Sequence, residues 1–173
     1  SIAKYIQNYF NKKECGIIEL DSYYYDLSHL SLKEREKNNF DHPKAFDFNF
    51  IYNQLIELKK NNSISIPIYN YKKHIRKNKF KNLPPKKIIL IEGILTFYNK
   101  KILDLLDMKI FVDTSQKLRI ERRIKRDLKG RERTYDSIIN QMESTVIPMH
   151  NKFIQPTKKY ADFIIAKGVK NTV

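Results

Sequence analysis

Residues 39–47, NFDHPKAFD, combine aromatic rings with carboxylates and an imidazole in a stretch without helical or strand periodicity. Aromatic rings bind flat groups by stacking, and carboxylates accept hydrogen bonds from hydroxyl groups. The alternative is an Asx turn whose phenylalanines lie in the core, and Phe46 suits that alternative. Isolated Phe and His residues favour core packing, but the whole combination favours a binding loop.

Acidic residues also end apolar runs that are typical of buried strands. The run GIIELD ends at Asp21, KIILIEG carries Glu92 near its end, and KIFVD ends at Asp113. In open α/β sheets, ligands bind outside the carboxyl ends of the strands, so these side chains are expected at one rim. We expect Asp113 to cap the helix that follows it, whereas Asp21 and Glu92 are the candidates for holding Mg²⁺ or accepting a proton.

Arginines cluster in residues 119–133, RIERRIKRDLKGRER. Part of the cluster shares one face of a predicted helix at three- and four-residue spacing, namely Arg119, Arg123 and Arg126. Gly130 is predicted to end this helix and to leave Arg131 and Arg133 on a turn. Because a guanidinium group matches phosphate oxygens with a planar fork, the cluster predicts a phosphate-binding lid. A solvated helix face is the alternative.

Helices and strands alternate along the chain, which favours an α/β fold with a parallel sheet covered on both faces. Periodicity or capping signals predict helices at residues 2–12, 48–60, 116–128 and 135–145, and a short one opened by a capping box at residues 31–34. Apolar runs predict strands in GIIELD, SISIPIYNY, KIILIEG, KIFVD and ADFIIAKG. Pro67 confines the second of these strands to a sheet edge or a hairpin.

Composition limits the class of protein. The chain has 173 residues, 41% of them hydrophobic and 31% charged, which suits one folded domain rather than a disordered chain. No apolar run is long enough to cross a bilayer, and the single Cys15 excludes an internal disulfide, so a cytoplasmic setting is the default expectation. The net charge of +15 indicates either a polyanionic partner or a lysine- and asparagine-rich solvated surface.

Taken in order, the motifs of this chain resemble those of the uridine–cytidine kinase family, relatives of phosphoribulokinase. The resemblance rests on DSYY at residues 21–24, NFDHPKAFD at 39–47, PIYNYKKHIR at 67–76, EGIL and FY within 92–98, RRIKRD and GRER within 122–133, and PTKKYAD at 156–162. It covers nearly the whole chain, and several of the motifs are long and unusual, so a chance match is not a reasonable explanation.

The resemblance implies a P-loop kinase fold in three layers, with a small β-hairpin and an arginine-rich helical lid. It implies a single kinase domain over residues 1–173, with ATP and Mg²⁺ as cofactors. The implied reaction is phosphorylation of the 5′-hydroxyl of uridine or cytidine, which gives UMP or CMP in pyrimidine salvage. The family analogy also implies a homotetramer. From the short apolar runs and from the grouping of aromatics with Asp and His, we expect no membrane and no nucleic-acid partner.

The resemblance also assigns roles to residues. It makes Asp21 the base that accepts the 5′-hydroxyl proton and Glu92 the group that orients Mg²⁺, with Asp21 as a second metal candidate. The implied substrate-binding residues are Tyr24, Phe40, Asp41, Tyr69, Tyr71, His74, Arg123, Arg133 and Gln141. Among these, Asp41 would bind the ribose, Phe40 would lie against the base and His74 would read a pyrimidine edge. Arg126 and Arg131 would bind the phosphates of ATP.

The chain departs from the family pattern in two places. Family members often have Asp-Phe where this chain has Asn70 and Tyr71, which leaves the preferred base open. None of the four glycines lies in a G-x-x-x-x-G-K-[ST] phosphate loop, and SIAKYI resembles the helix that follows that loop, with Ser1 at or just after the end of the motif. We therefore expect an N-terminally truncated domain, without the first strand and the phosphate loop, that is inactive alone.

Two other classes of function stay open at this point. The chain could be a catalytically inactive, kinase-like domain that binds nucleosides. It could also be a basic nucleic-acid-binding protein, although such proteins interleave aromatic and basic residues on one surface, whereas these aromatics group with Asp and His. A phosphate loop in the upstream coding sequence would favour the kinase, and a degenerate loop would favour the inactive domain.

Overall fold

A computed structural model describes residues 2–130 and 134–166 of the chain. The chain divides into two compact units, the first ending at Leu105 and the second beginning at Leu106. Within the described residues, no helix combines the length and the apolar character that a bilayer crossing requires.

The first unit begins with helix α1 (Ile2–Phe10) and strand β1 (Cys15–Glu19), which leads into a 3-10 helix (Leu20–Tyr23). Helix α2 (Leu32–Glu36), a 3-10 turn (Pro43–Ala45) and helix α3 (Phe48–Lys59) follow. The unit ends with the hairpin of β2 (Ile64–Asn70) and β3 (Ile75–Leu83), strand β4 (Ile88–Glu92) and the short helix α4 (Lys100–Leu103).

Strands β1 and β4 pair in parallel, from Cys15 opposite Ile88 to Glu19 opposite Glu92. Their near-continuous apolar sequences suit strands that are buried on both faces, and Cys15 and Ile18 are fully buried. The predicted strand was too long at its end, because β1 stops at Glu19 and Asp21 lies in the 3-10 helix that follows. The turn places Asp21 at the carboxyl end of the strand, as an α/β ligand site requires.

The hairpin confirms the prediction made from Pro67, since β2 pairs in antiparallel fashion with β3 and the register shifts between Pro67 and Tyr69. Strand β3 was not predicted. Its KNKFKN segment was interpreted as lysine-rich surface, and those side chains are exposed. A solvated hairpin strand has no apolar face, so its sequence carries no periodic signal.

Side-chain hydrogen bonds explain where the helices of the first unit begin. Ser31 and Glu34 form the predicted capping box of α2. Asp47 caps α3 by accepting a hydrogen bond from the backbone N–H of Phe50 at 3.0 Å. Inside α3, the buried Gln54 accepts from the hydroxyl of Tyr23 at 2.5 Å and donates to the carbonyl of Ser65 at 2.7 Å, which joins the helix to the 3-10 turn and to β2.

The second unit contains a parallel pair of strands, β5 (Ile110–Asp113) and β6 (Phe163–Ala166), which confirms both predicted strands. Helix α5 (Gln116–Gly130) is described as far as the glycine that was predicted to end it, and helix α6 (Tyr135–Gln141) continues through π-helical turns and the short helix α7 (Ile147–Met149). A 3-10 segment (Gln155–Tyr160) leads into β6.

The prediction that Asp113 caps α5 was wrong. Ser115 precedes the helix and accepts there from the backbone N–H groups of Leu118, through its hydroxyl at 3.4 Å, and of Arg119, through its carbonyl at 3.0 Å. The carboxylate of Asp113 instead accepts from Lys158 Nζ at 2.6 Å. Thr114 therefore adds one residue of loop between strand and helix, which moves Asp113 out of capping range.

Candidate active site

The 3-10 turn after β1 places Asp21 beside Tyr24. The Tyr24 hydroxyl donates to Asp21 Oδ1 at 3.4 Å, and the Tyr24 side chain is only 8% exposed. Burial, followed by the carboxylates of Asp21 and Asp41, raises the pKa of Tyr24 well above its ordinary range. Tyr24 therefore stays protonated at neutral pH and can only donate to Asp21, which orients the carboxylate.

Tyr24 lies at the centre of an aromatic group contributed by several elements. Its ring centroid is 5.2 Å from that of Phe40 and 5.3 Å from that of Tyr69. Phe40 stacks on His74 at 4.7 Å with an interplanar angle of 17°, and Tyr69 contacts Tyr71 at 5.4 Å. The structure thus brings together the residues that we call the nucleoside-side cluster: Asp21, Tyr24, Phe40, Tyr69, Tyr71 and His74.

His74 adopts a left-handed backbone conformation, with φ at 51°. It lies in the turn between β2 and β3, directly before Ile75 opens β3. A non-glycine residue in this region costs on the order of 1 kcal/mol, and such strain concentrates at functional sites. The conformation accompanies the stacking of the imidazole on Phe40, so the hairpin turn presents the ring at a defined position.

The loop of residues 39–47 contains both structures that its sequence allowed. An Asx turn forms, because the backbone N–H of Asp41 donates to Asn39 Oδ1 at 3.1 Å. Phe46 is buried in the core at 2% exposure, as expected, and packs on Tyr24 at 4.4 Å. Phe40, by contrast, is half-buried and faces His74. The loop therefore combines an Asx turn and a core phenylalanine with a half-buried Phe40 that stacks on His74.

Gly93 brings the end of β4 close to the turn that carries Asp21. A Cβ atom at this position would lie 2.4 Å from Leu20 Cβ, so no other residue fits without a shift. Gly93, which directly follows Glu92, thus lies against Leu20, the residue that precedes Asp21. Glu19, which sequence reasoning overlooked, is the register partner of Glu92, and the parallel strands bring a second carboxylate to this edge.

The carboxylates of this edge fit a magnesium ion of the kind that kinases use. Mg²⁺ is usually held by one or two carboxylates together with waters and substrate phosphates. The described residues contain no group of three or more His, Cys, Asp or Glu side chains able to hold a metal, which such a site does not need. Glu92 and Asp21 are therefore chemically suited to Mg²⁺ that arrives with a nucleotide.

In the second unit, predicted phosphate- and substrate-binding residues contact one another along α5. Arg123 Nη2 donates to Gln141 Oε1 at 3.0 Å, and Arg123 Nε lies 3.4 Å from Asp127 Oδ2. Arg126 Nε donates to Asp127 Oδ1 at 2.7 Å, and the Asp127 side chain is fully buried. The predictions for Arg131 and Arg133 lie outside the described residues.

Arg119, on the same helix, contacts the imidazole of His150, whose Nε2 also lies 3.1 Å from Gln155 Oε1. Burial, and then the charge of Arg119, lowers the pKa of His150. The ring is therefore neutral at physiological pH and can accept from the guanidinium. The predicted arginine face is accordingly divided between two sets of contacts, at His150 and at Asp127.

Sequence reasoning missed several residues that organise these sites, including Arg76, Gln54 and Asp127. Each is polar and at most half exposed in the structure. Only Asp127 carried a usable signal, because it stands four residues after Arg123, at the spacing of a helical ion pair. Arg76 ends the motif PIYNYKKHIR, where its position suggested no contact with residues far away in the sequence.

Comparison with known proteins identifies the family of this chain. The model of the Phosphoribulokinase / Uridine kinase family matches residues 1–173. The chain is 46% identical over 173 residues to a uridine kinase of Streptococcus agalactiae, covering 100% of this chain and 83% of that protein. It is 47% identical over the same length to a uridine kinase of Lactococcus lactis subsp. cremoris, covering 84% of that protein.

Solved structures show the fold. Phosphoribulokinase from Rhodobacter spheroides superposes with a TM-score of 0.69 at 15% identity, covering 94% of this chain and 63% of that one. A possible uridine kinase from Bacillus stearothermophilus superposes with a TM-score of 0.57 at 16% identity, covering 95% of this chain and 79% of that one. The fold is thus that of a P-loop-type α/β kinase. The chain belongs to the phosphoribulokinase/uridine kinase family.

Proposed function

We propose that this protein transfers the γ-phosphate of ATP to the 5′-hydroxyl of uridine or cytidine, giving UMP or CMP. The observation that carries the proposal is the nucleoside-side cluster, in which a carboxylate held by a buried tyrosine lies in the same unit as a Phe–His stack. A flat base and a hydroxylated sugar need this combination of rings and carboxylates. The identity to named uridine kinases supports the same substrate class.

In the proposed mechanism, Asp21 accepts the proton of the 5′-hydroxyl while Tyr24 holds the carboxylate in place. Phosphoryl transfer depends on positioning and on charge neutralisation, so the remaining residues bind and orient. Asp41 would bind the ribose, Phe40 would stack against the base, and His74 would read its edge, with Tyr69 and Tyr71 closing the pocket.

The phosphate groups require cations and a metal. Glu92, with Asp21, would hold Mg²⁺, which would neutralise negative charge on the phosphates. Arg123 and Gln141 would contact the substrate, joined by Arg133, while Arg126 and Arg131 would bind the phosphates of ATP. We propose that residues 1–173 belong to a single kinase domain that acts in pyrimidine salvage, in the reducing cytoplasm that a single cysteine suits.

The test is a phosphorylation assay with Mg-ATP and uridine, cytidine, adenosine or ribose. It uses the full protein, meaning residues 1–173 together with any further residues that the gene encodes. We expect turnover of the pyrimidine nucleosides and little of the others. A parallel calorimetric titration of uridine into residues 1–173 distinguishes the inactive binding domain, which would bind uridine without any turnover in the full protein. Turnover of adenosine at the rate of uridine would refute the pyrimidine assignment.

A further inference from the structure

Arg76 lies in β3, two residues after His74, on the strand that the hairpin turn opens. Its register partner is Tyr69 of the nucleoside-side cluster. The side chain is only 22% exposed, although strand neighbours such as Lys77 are exposed. A long cationic side chain that turns inward from a solvated strand must have specific partners, because a buried charge is costly without them.

The partners of Arg76 are main-chain carbonyls and one carboxylate. Nε donates to the carbonyl of Tyr24 at 2.8 Å, and Nη2 donates to the carbonyl of Tyr23 at 3.3 Å. The same Nη2 lies 3.3 Å from Asp47 Oδ2, and the guanidinium carbon is 5.3 Å from the centroid of the Phe50 ring. The planar fork of arginine makes these contacts together, and the single nitrogen of lysine does not match them.

The chain segment that Arg76 contacts also carries Asp21, the proposed general base. Tyr23 follows Asp21 by two residues, and Tyr24 donates to Asp21 through its hydroxyl. The same segment is also hydrogen-bonded to the end of the loop of residues 39–47: Asp47 N–H donates to the Tyr23 carbonyl at 2.8 Å, and Tyr25 N–H donates to the Ala45 carbonyl at 2.9 Å. Arg76 completes the attachment from the hairpin.

The backbone of Arg76 adds a further link. Its N–H donates to Asp26 Oδ1 at 3.1 Å. Partial burial opposes ionisation of Asp26, but hydrogen bonds from Ser28 and from this N–H outweigh it and lower the pKa of the carboxyl group. Asp26 is therefore a carboxylate acceptor over the whole neutral range, and the hairpin is held to residues 23–26 through both the backbone and the side chain of Arg76.

We propose that Arg76 is a positioning residue that couples recognition of the nucleobase at His74 to the orientation of the Asp21 carboxylate. The proposal rests on the proposed function, in which His74 and Asp21 act on the two ends of one nucleoside. A rigid link between His74 and Asp21 keeps the 5′-hydroxyl aligned with the Asp21 carboxylate that accepts its proton. Misplacement of a reacting group by about 1 Å costs on the order of a hundredfold in rate, so the link affects kcat.

The kinetic test compares Arg76→Lys with Lys77→Gln, an exposed neighbour on the same strand, in the full protein. Arg76→Lys keeps the charge near Asp47 and Phe50 but loses the fork between the two carbonyls. We expect kcat with uridine to fall roughly ten- to a hundredfold while KM changes about threefold or less. Lys77→Gln should match the unsubstituted protein in both. Wild-type kcat in Arg76→Lys, or a rise in KM alone, would overturn the proposal.

A second measurement separates this proposal from the proposed function. Amide hydrogen exchange, followed by mass spectrometry, should show faster exchange at Tyr25 and Asp47 in Arg76→Lys than in Lys77→Gln, with equal exchange in α3. Unchanged exchange at Tyr25 and Asp47 would overturn the Arg76 link even if the protein phosphorylates uridine. If the unsubstituted protein has no activity on uridine, the proposed function fails, and faster exchange at these amides still supports the link.

Discussion

In the first unit, the rings of the nucleoside-side cluster rest on one another, and a tyrosine hydroxyl holds the carboxylate of Asp21. In the second unit, the guanidinium groups of α5 contact groups within the same unit, with Arg123 and Arg126 at Asp127 and Arg119 at His150. The first arrangement packs aromatic rings beside the carboxylates of Asp21 and Asp41. The second distributes cations around one buried carboxylate and one neutral imidazole.

The difference concerns what each region can do before a ligand binds. Aromatic packing costs no desolvation of charge, so the nucleoside-side cluster can be complete in advance, and a preorganised site binds without further ordering. Several cations in one stretch repel one another, so α5 needs internal acceptors to stay folded without phosphate. Asp127 provides one, because it is fully buried between Arg123 and Arg126.

The largest effect is expected when the charge of Asp21, the carboxylate of the nucleoside-side cluster, is removed. Asp21→Asn in the full protein should lower kcat by about two to four orders of magnitude, because a positioned general base contributes that much. Uridine KM should stay within a few-fold, since the rings that we propose to bind the nucleobase are unchanged. Steady-state kinetics measures both, with the exposed Asp104→Asn as the matched control. Preserved kcat with a raised KM would assign Asp21 to binding and weaken the comparison.

The next effect concerns the buried acceptor of the arginine helix. Asp127→Asn keeps the shape but removes the charge between Arg123 and Arg126, and it should lower the free energy of unfolding by roughly 3 kcal/mol, the lower end for a broken buried pair. The lower end applies because the Arg126 side chain is 56% exposed and can reach water. Urea denaturation measures the change.

The control for this experiment is Glu121→Gln, which removes an exposed carboxylate from the same helix. Its effect should stay within about 0.5 kcal/mol, as for most surface substitutions. If Asp127→Asn destabilises no more than Glu121→Gln, the arginines of α5 do not depend on an internal acceptor. The description of the second unit in this comparison would then be wrong.

A smaller effect is expected when the imidazole of His74 is removed from the nucleoside-side cluster. His74→Asn removes the ring but keeps a residue that tolerates the left-handed backbone conformation, so the turn itself should survive. Loss of a base-edge partner costs about 1–3 kcal/mol, so kcat/KM for uridine and cytidine should fall roughly ten- to a hundredfold. The exposed His29→Asn is the control. Equal kinetics in both variants would make His74 a structural residue of the hairpin.

The sequence predicted the parts of this molecule that rest on local signals. The capping box at Ser31 and the strands with continuous apolar runs follow from residues within a few positions. The nucleoside-side cluster was predicted through a resemblance of motifs, and the structure brings its residues together in one unit. Their catalytic and binding roles stay predictions.

The remaining features depend on contacts between distant residues, which no local pattern encodes. Arg76 reaches Tyr23 and Tyr24 across the fold, and Lys158 reaches Asp113 in the same way. The missed strand β3 pairs with β2 although its exposed lysines show no alternation of polar and apolar residues. In each case the partner, rather than the residue itself, determines the structure, so only the folded chain reveals it.

The smallest expected effect tests whether the second unit uses every cation for phosphate. Lys158, from the motif PTKKYAD, donates to Asp113 at 2.6 Å, with side-chain exposures of 33% and 34%. The contact joins the 3-10 segment before β6 to the end of β5, so we assign it to stability. A double-mutant cycle of Lys158→Met and Asp113→Asn, measured by urea denaturation, should give a coupling energy of about 0.5 kcal/mol that decreases with salt, as for partly exposed ion pairs.

The exposed Lys159→Met should show no coupling to Asp113, and uridine kinetics should be unchanged in Lys158→Met. A large loss of kcat in Lys158→Met with little coupling would instead place this lysine on a phosphate, and the second unit would then present more cations to the nucleotide than its internal contacts indicate.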